Sequence, residues 1–348
     1  GSHSSLSSYV GIMATEDNTI IDITDYHPDS EFRNGTDPDG ITVDNIQITL
    51  NAGETYVLQA LKNQTVINED GWLGATIRSD KNIAISNGGL NVGVRTGSNG
   101  RDAAIDQPVP ENVIGQEYVF IRGNGANETE FPLIIATQDG TEIYVNGSAT
   151  PIATINKGEY FEIPGSNYST TTSGGNMYVR TSRDVYAYQC ITGASEHYTL
   201  GLNFIAPVNC LLPSELNNIP DIRDVDAKDF DGGVTIVASQ STPDSAITIT
   251  HGGGTLTGGT DFTFTNVAGS TWKTVYQAGL TGDVQVNSSG PIAVGFLGVS
   301  GAAGIAGYFS GFDTVPAVVV DINGGGCFPG SALEEVTGGF ANYAWYQG

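Results

Sequence analysis

Cations, cysteines and histidines are scarce in this chain, and each scarcity removes a class of function. Lysine and arginine number 13 against 38 aspartates and glutamates, a net charge of −25. Nucleic-acid affinity rests on cations that displace condensed counterions, so a phosphate backbone is repelled. Anionic membrane surfaces are disfavoured for the same reason. Three cysteines in 348 residues are too few for a disulfide scaffold. The four histidines, His3, His27, His197 and His251, are scattered, with no HExxH and no His/Cys group at zinc spacing. No GxSxG elbow introduces a nucleophile, and the glycine-rich strings have no following helix to make a nucleotide site. An apolar run of roughly 20 residues, as a membrane helix needs, is also missing. The richest stretch, Val299 to Phe312, is broken by glycines. Gly1-Ser2-His3 reads as a tag remnant and, with residues up to 8, is set apart from the fold.

What the chain does have is internal repetition. "IMATEDNTIIDI" (Ile12 to Ile23) returns as "IIATQDGTEIYV" (Ile134 to Val145) and, more loosely, as "IVASQSTPDSAITI" (Ile236 to Ile249). Each copy is an apolar run, a polar turn and an alternating run, which reads as strand, tight turn, strand. Two landmarks follow each copy in the same order. One is a glycine turn, at Gly53, Gly158 and Gly269; the other is a hairpin pattern at 76–85, 178–188 and 285–294. Ordered landmarks that recur about every hundred residues mark three diverged copies of one β module.

The spacing predicts modules over 9–115, 116–217 and 218–316, each with short strands rich in Ile, Val, Thr and Tyr. Apolar stripes at helical period are absent, so no helix beyond a turn or two is expected. The fold class is therefore all-β: three sandwich-like modules in tandem, packed together. A six-bladed propeller, two four-stranded blades per repeat, is the alternative. A polar excursion at His27 to Gly40 is expected to be a surface loop, and strands are expected at 261–265.

Candidate sites are few. Asp221, Asp224, Asp226, Asp229 and Asp231, followed by Gly232-Gly233, place carboxylates two apart before a flexible turn, the oxygen-rich setting that Ca²⁺ takes. The rival reading is a solvated acidic linker, and the cluster lacks the EF-hand's closing glutamate and flanking helices. Asp37, Asp39 and Asp44 form a second, weaker set, since Asp-Pro and Asp-Gly are also ordinary turn formers. Cys190 and Cys210 are close enough in sequence to close one disulfide loop in an oxidising compartment, against two buried thiols. Tyr186 and Tyr188 point to one strand face and could stack on a sugar or partner, or simply cover a sheet. Glu16-Asp17 could supply carboxylates for glycoside hydrolysis. The later copies carry Gln138-Asp139 and Gln240 there, so a turn-forming role accounts for all three better.

From 317 the texture changes: Cys327 and Trp345 resemble the opening of an immunoglobulin-like or polycystic-kidney-disease-type repeat, cut short at residue 348. "ATEDNT", "GETY" and "SDKNIAI" in turn resemble the N-terminal domain of the IgGFc-binding protein family and its bacterial relatives, over roughly 9–316. That resemblance implies a secreted, non-enzymatic adhesin at a cell surface, beside immunoglobulin-like repeats and gliding-motility or type IX secretion modules. Its ligand would be a surface, host or carbohydrate group, with no nucleic acid and no membrane insertion. A stalk spacer and a secreted carbohydrate-active enzyme are the alternatives.

Overall fold

The computed structural model describes residues 8–27, 30, 32–34, 37–41, 45–60, 73–92, 102–127, 129–191, 201–209, 212–225, 228–301, 303–308, 318–322 and 331–335. Within them the chain is all-β, and helical content is limited to single 3₁₀ turns at 111–113, 165–167 and 244–246. The first group of strands is β1 (Ser8–Ala14), β2 (Thr19–Thr24), β3 (Phe32–Asn34), β4 (Asp37–Ile41), β5 (Ile46–Leu50), β6 (Thr55–Ala60), β7 (Thr76–Ser79), β8 (Ile83–Val92) and β9 (Asp102–Asp106). The second is β10 (Gly115–Ile121), β11 (Phe131–Ala136), β12 (Thr141–Val145), β13 (Ala153–Ile155), β14 (Tyr160–Glu162), β15 (Asn176–Ile191) and β16 (Gly201–Phe204). The third opens with β17 (Glu215–Ile219), β18 (Asp224–Val225), β19 (Lys228–Asp229), β20 (Asp231–Ser239) and β21 (Ile247–His251). It continues with β22 (Gly254–Thr257), β23 (Thr265–Asn266), β24 (Trp272–Ala278), β25 (Val284–Ser288), β26 (Ile292–Ser300) and β27 (Ala303–Tyr308). A pair, β28 (Val318–Ile322) and β29 (Ser331–Glu335), follows.

One pairing scheme recurs in all three groups. β1 lies between β6 and β8, while β2 lies between β5 and β7. Correspondingly, β11 lies between β14 and the C-terminal half of β15, and β12 between β13 and its N-terminal half. In the third group β20 lies between β24 and β26, and β21 between β22 and β25. Each repeated segment is thus an arch whose two strands enter opposite sheets. The three expected hairpins are corrected in the same way. β7 and β8 belong to different sheets, as do β25 and β26, and β15 runs unbroken through both layers. Carrying one strand through both layers makes the second group a nearly closed barrel.

Two facing sheets with one apolar cluster between them make each group a sandwich and rule out propeller blades. Ile12, Leu58, Ile21, Ile23 and Ile46 join the two layers of the first; Ile236, Val294, Ile249, Val284 and Val286 do so in the third. Period-two alternation puts these side chains on one face, and each buried Ile or Val contributes about 1.5–3 kcal/mol. An added strand extends the first sheet each time: β9 on β8, β16 on β15, β27 on β26. Another extends the opposite sheet in two groups, β10 on β15 and β17 on β25.

Arch chemistry repeats with the topology. Thr19 Oγ1 donates to Glu16 O at 2.7 Å and Thr141 Oγ1 to Gln138 O at 2.7 Å, so both buried hydroxyls are satisfied. Glu54 Oε2 accepts the Asn51 N–H at 2.7 Å, as Glu159 Oε2 accepts that of Asn156 at 2.7 Å. In the third group Ser270 follows the turn glycine, and its Oγ donates to Val267 O at 3.0 Å.

The groups meet turn to turn. A Cβ on Gly74 would stand 2.3 Å from Gly158 Cα, and one on Gly147 would stand 2.8 Å from Gly269 Cα. Lys157 Nζ bonds Asp25 Oδ2 at 2.8 Å across the first junction. A cluster of Val119, Ile121, Val208, Val237, Trp272 and Ala293 seals the second.

Several expectations are corrected. The polar excursion after His27 contains β3 and β4, anchored by buried Phe32, whose ring meets Tyr26 edge-on at 5.1 Å. Within 261–265 only Thr265 is in a strand; β22 pairs with β21 instead, while Phe262 is still buried in the core. Beyond Val299, Ala303–Tyr308 forms β27 and pairs with β26. In the tail, β28 and β29 pair with each other; Cys327 and Trp345 lie outside the described residues.

Candidate functional site

The outward face of the sheet built on β1, β11 and β20 distinguishes the three groups. Register aligns Met13, Thr55 and Ala84 with Ile135, Tyr160 and Tyr186, and with Val237, Thr274 and Ala293. In the third group this row is sealed, at 0% exposure for Val237 and 1% for Thr274 and Ala293. Residues preceding β17 lie over it, with Ala206, Val208 and Leu212 in the same apolar cluster. In the second group the row is half-covered, and Tyr160 is 42% exposed. In the first group it is open.

That open row forms a shallow cleft of about 630 Å³. Its floor is small because β1 contributes Gly11 and β8 contributes Ala84 and Ser86; a Cβ on Gly11 would stand 3.1 Å from Ser86 Oγ. Around it stand Met13, Val57 and Ile105, exposed by 39%, 58% and 62%. Apolar side chains on a solvated sheet face cost hydration free energy, which a covering partner recovers. At one end Asp106 accepts the N–H groups of Gln107 at 2.7 Å and Phe204 at 2.6 Å. Burial outweighs those bonds and pushes its carboxyl above the usual carboxylate range.

Tyr186 and Tyr188 share a strand face, as alternation requires, but that face is half-covered at Tyr186 and buried at Tyr188. Tyr186 Oη donates to Val109 O at 2.9 Å, and burial, with the charge of Glu111, pushes its phenol up to about 12. Tyr188 is 4% exposed and meets Phe204 edge-on at 5.9 Å. Burial, then the Asp106 charge, raises its phenol. Both rings are engaged at the joint between the first two groups.

The acidic segment at 221–231 folds as a small hairpin, β18 on β19, with Asp224 opposite Asp229. Arg223 grips the Asp229 carboxylate through Nε and Nη2 and holds it below the ordinary range. The partners are 46% and 60% exposed, so the pair adds little stability. The Asp221 N–H donates to Asp283 Oδ1 at 3.1 Å, and Asp231 opens β20. Asp226 lies outside the described residues. Asp37 and Asp39 lie on β4, and Asp44 is outside them. Among the described residues no three His, Cys, Asp or Glu gather in a metal-holding group. Cys190 lies on β15, its backbone opposite Phe131 and Leu202; Cys210 is outside the described residues.

The acidic turn after β1 is engaged structurally. Asp17 Oδ1 accepts the Ala52 N–H at 3.0 Å, as Asp139 Oδ1 accepts that of Lys157 at 3.1 Å. His251 Nδ1 accepts the Gly253 N–H at 3.1 Å. Met13, Val57 and Ile105 escaped the sequence reading, although apolar residues at outward strand positions are a signal of covered surface.

A sequence model of the family described as IgGFc binding protein matches residues 1–298. The chain belongs to that family. The match ends before β27, so β28 and β29 lie beyond it. No curated protein and no solved structure matches the chain. The IgGFc-binding family is one of binding modules and not of enzymes. No helix among the described residues is long and apolar enough to cross a membrane.

Proposed function

We propose that this chain is a non-enzymatic extracellular adhesin module that holds a protein partner on the open outer face of its first sandwich. The observation that carries the reading is the row that is sealed at Val237 and open at Met13, with Val57 and Ile105 beside it. Family membership supports binding as the activity, and a surface at −25 net charge suits an exposed, soluble position. Tandem sandwiches joined turn to turn give such a surface a stiff mount.

The probes are an immunoglobulin Fc fragment, after the family's name, and a glycan array, tested against the chain and Val57→Ser/Ile105→Ser. Both positions are exposed, so the fold is expected to be unchanged. Capture of the Fc fragment, weakened about tenfold or more by the double substitution, supports the reading. Capture that survives the substitution undiminished places binding elsewhere. Glycan binding with Fc indifference points to a carbohydrate ligand instead. The Ca²⁺ expected from the sequence at Asp221, Asp224 and Asp231 is tested separately: a melting temperature unchanged by chelator removes it.

A further inference from the structure

We infer that the outer face of β21, β22 and β25 binds a neutral polysaccharide, laid flat across the strands of the third sandwich. Alternation along β21 and β25 turns Ile247, Ile249, Val284 and Val286 into the core, all at 0% exposure, and the residues between them outward. Pairing sets the outward residues in two rows. Asn287, Thr248 and Thr257 stand side by side in one, and Gln285, Thr250 and Thr255 in the other. Neighbours across strands are about 4.8 Å apart, and the rows about 6.7 Å apart. None of the six is buried, and none is ionisable.

The other two sandwiches carry ions at the matching place. Aligned on the core pairs Ile23–Ile77, Val145–Val179 and Ile249–Val286, Asp22 stands opposite Arg78 in the first and Tyr144 opposite Arg180 in the second. The third has Thr248 opposite Asn287. Side chains on the two charged faces are engaged within the chain. Asp22 Oδ1 accepts Gln47 Nε2 at 2.7 Å. The Arg180 guanidinium lies 4.1 Å from the centre of the Tyr144 ring, whose hydroxyl donates to Glu142 Oε2 at 2.7 Å. On the third face Thr250 and Thr255 share one bond, Oγ1 to Oγ1 at 3.2 Å. The carboxamides of Gln285 and Asn287 have no partner among the described residues, and both side chains are exposed.

Charge sets the class of ligand. The net charge of −25 repels anionic polymers, and fixed ions would have to shed water against a neutral one. A face of hydroxyls and carboxamides avoids that second cost, because each group both donates and accepts, as sugar hydroxyls do. Protein partners are held by aromatic and other large anchors, which this face lacks. Its flatness suits a polymer, whose weak contacts add along the chain once the first is made. Glu215, opposite Asn287, borders the array on the β17 side. The face lies on a different sandwich from the Met13 cleft and does not depend on it.

The test is co-sedimentation of the full chain with insoluble cellulose, chitin and curdlan as neutral polymers, and with carboxymethyl cellulose resin as the anionic control. Expected is retention by at least one neutral polymer and none by the anionic resin. Gln285→Glu/Asn287→Asp keeps the shape of both side chains and adds a charge to each, and is expected to weaken retention about tenfold or more. Thr49→Glu/Thr154→Glu adds the same charge at exposed strand positions of the other two sandwiches and is expected to bind as the unaltered chain does. So is Val57→Ser/Ile105→Ser. A chain that no neutral polymer retains overturns the inference, as does retention that Gln285→Glu/Asn287→Asp leaves unchanged. Equal loss in Thr49→Glu/Thr154→Glu, or retention by the anionic resin, overturns the charge argument and the site with it. Loss in Val57→Ser/Ile105→Ser places the polymer in the first cleft and overturns it too.

Discussion

Arg122 is the bulkiest side chain sealed inside the second sandwich, at 2% exposure. A buried guanidinium is costly unless its donors are matched, and here the two terminal nitrogens are matched while Nε has no partner. Nη1 donates to Asn127 Oδ1 at 2.7 Å and Gly165 O at 3.2 Å, and Nη2 to Gly125 O at 2.6 Å. Glu130, 0% exposed, accepts the N–H groups of Gly123 and Gly125 at 3.2 Å in the same loop. Arg122→Met is expected to cost about 3 kcal/mol, because it strands buried carbonyls and removes a compensating charge. Chemical denaturation measures this, and a loss under about 1 kcal/mol contradicts it. The tyrosines give a pH signature. Tyr186 and Tyr276 are pushed up to about 12 from 10.0, chiefly by burial. Between those values the unfolded chain has lost phenolic protons that the folded chain keeps, so stability falls as pH rises through the window. Absorbance titration of folded protein should show part of the phenol signal delayed to about pH 12. A single step at the ordinary tyrosine value contradicts the burial of these rings.

Turn glycines separate local strain from contact between sandwiches. Gly53 and Gly269 are equivalent, with φ of 79° and 75°, and both suffer the same left-handed penalty on gaining a Cβ. Gly53 meets nothing within 4 Å, whereas a Cβ on Gly269 would stand 2.4 Å from Gly147 N and Cα. Gly53→Ala should cost about 1 kcal/mol and Gly269→Ala about 1–3 kcal/mol more, read as a difference in denaturation midpoint. Equal costs would mean that the junction is loose. At this scale the strands were legible in the sequence, and their pairing was not. Alternation in "IIDI" or "IIAT" fixes which residues face a core, but a hairpin and an arch share that alternation. Only Thr19 and Thr141, buried by their bonds back into the turn, show locally that the chain crosses between layers. β3 stayed hidden because one buried ring, Phe32, anchors an otherwise polar segment. Tyr186 and Tyr188 looked exposable because their cover, around Val109, comes from a segment some eighty residues earlier.

Across the whole molecule, the account makes three copies of one sandwich differ by what covers them. Copies two and three receive a preceding segment on the outer face and an added strand on the opposite sheet; copy one shows neither among its described residues. Sequence made the triplication readable, while covering depends on contacts far apart in the chain. The open face of copy one is the basis for proposing a binding surface there. Native-state amide exchange on dilute monomer tests that ordering most directly. The account predicts slow exchange in three matching sets, β1, β11 and β20, together with slow exchange at 176–181 and 284–288 but fast exchange at those alternate amides of 76–79 that face away from β2. Equal protection of 76–79 and its two counterparts, or slow sets that fall outside the repeated strands, would contradict it.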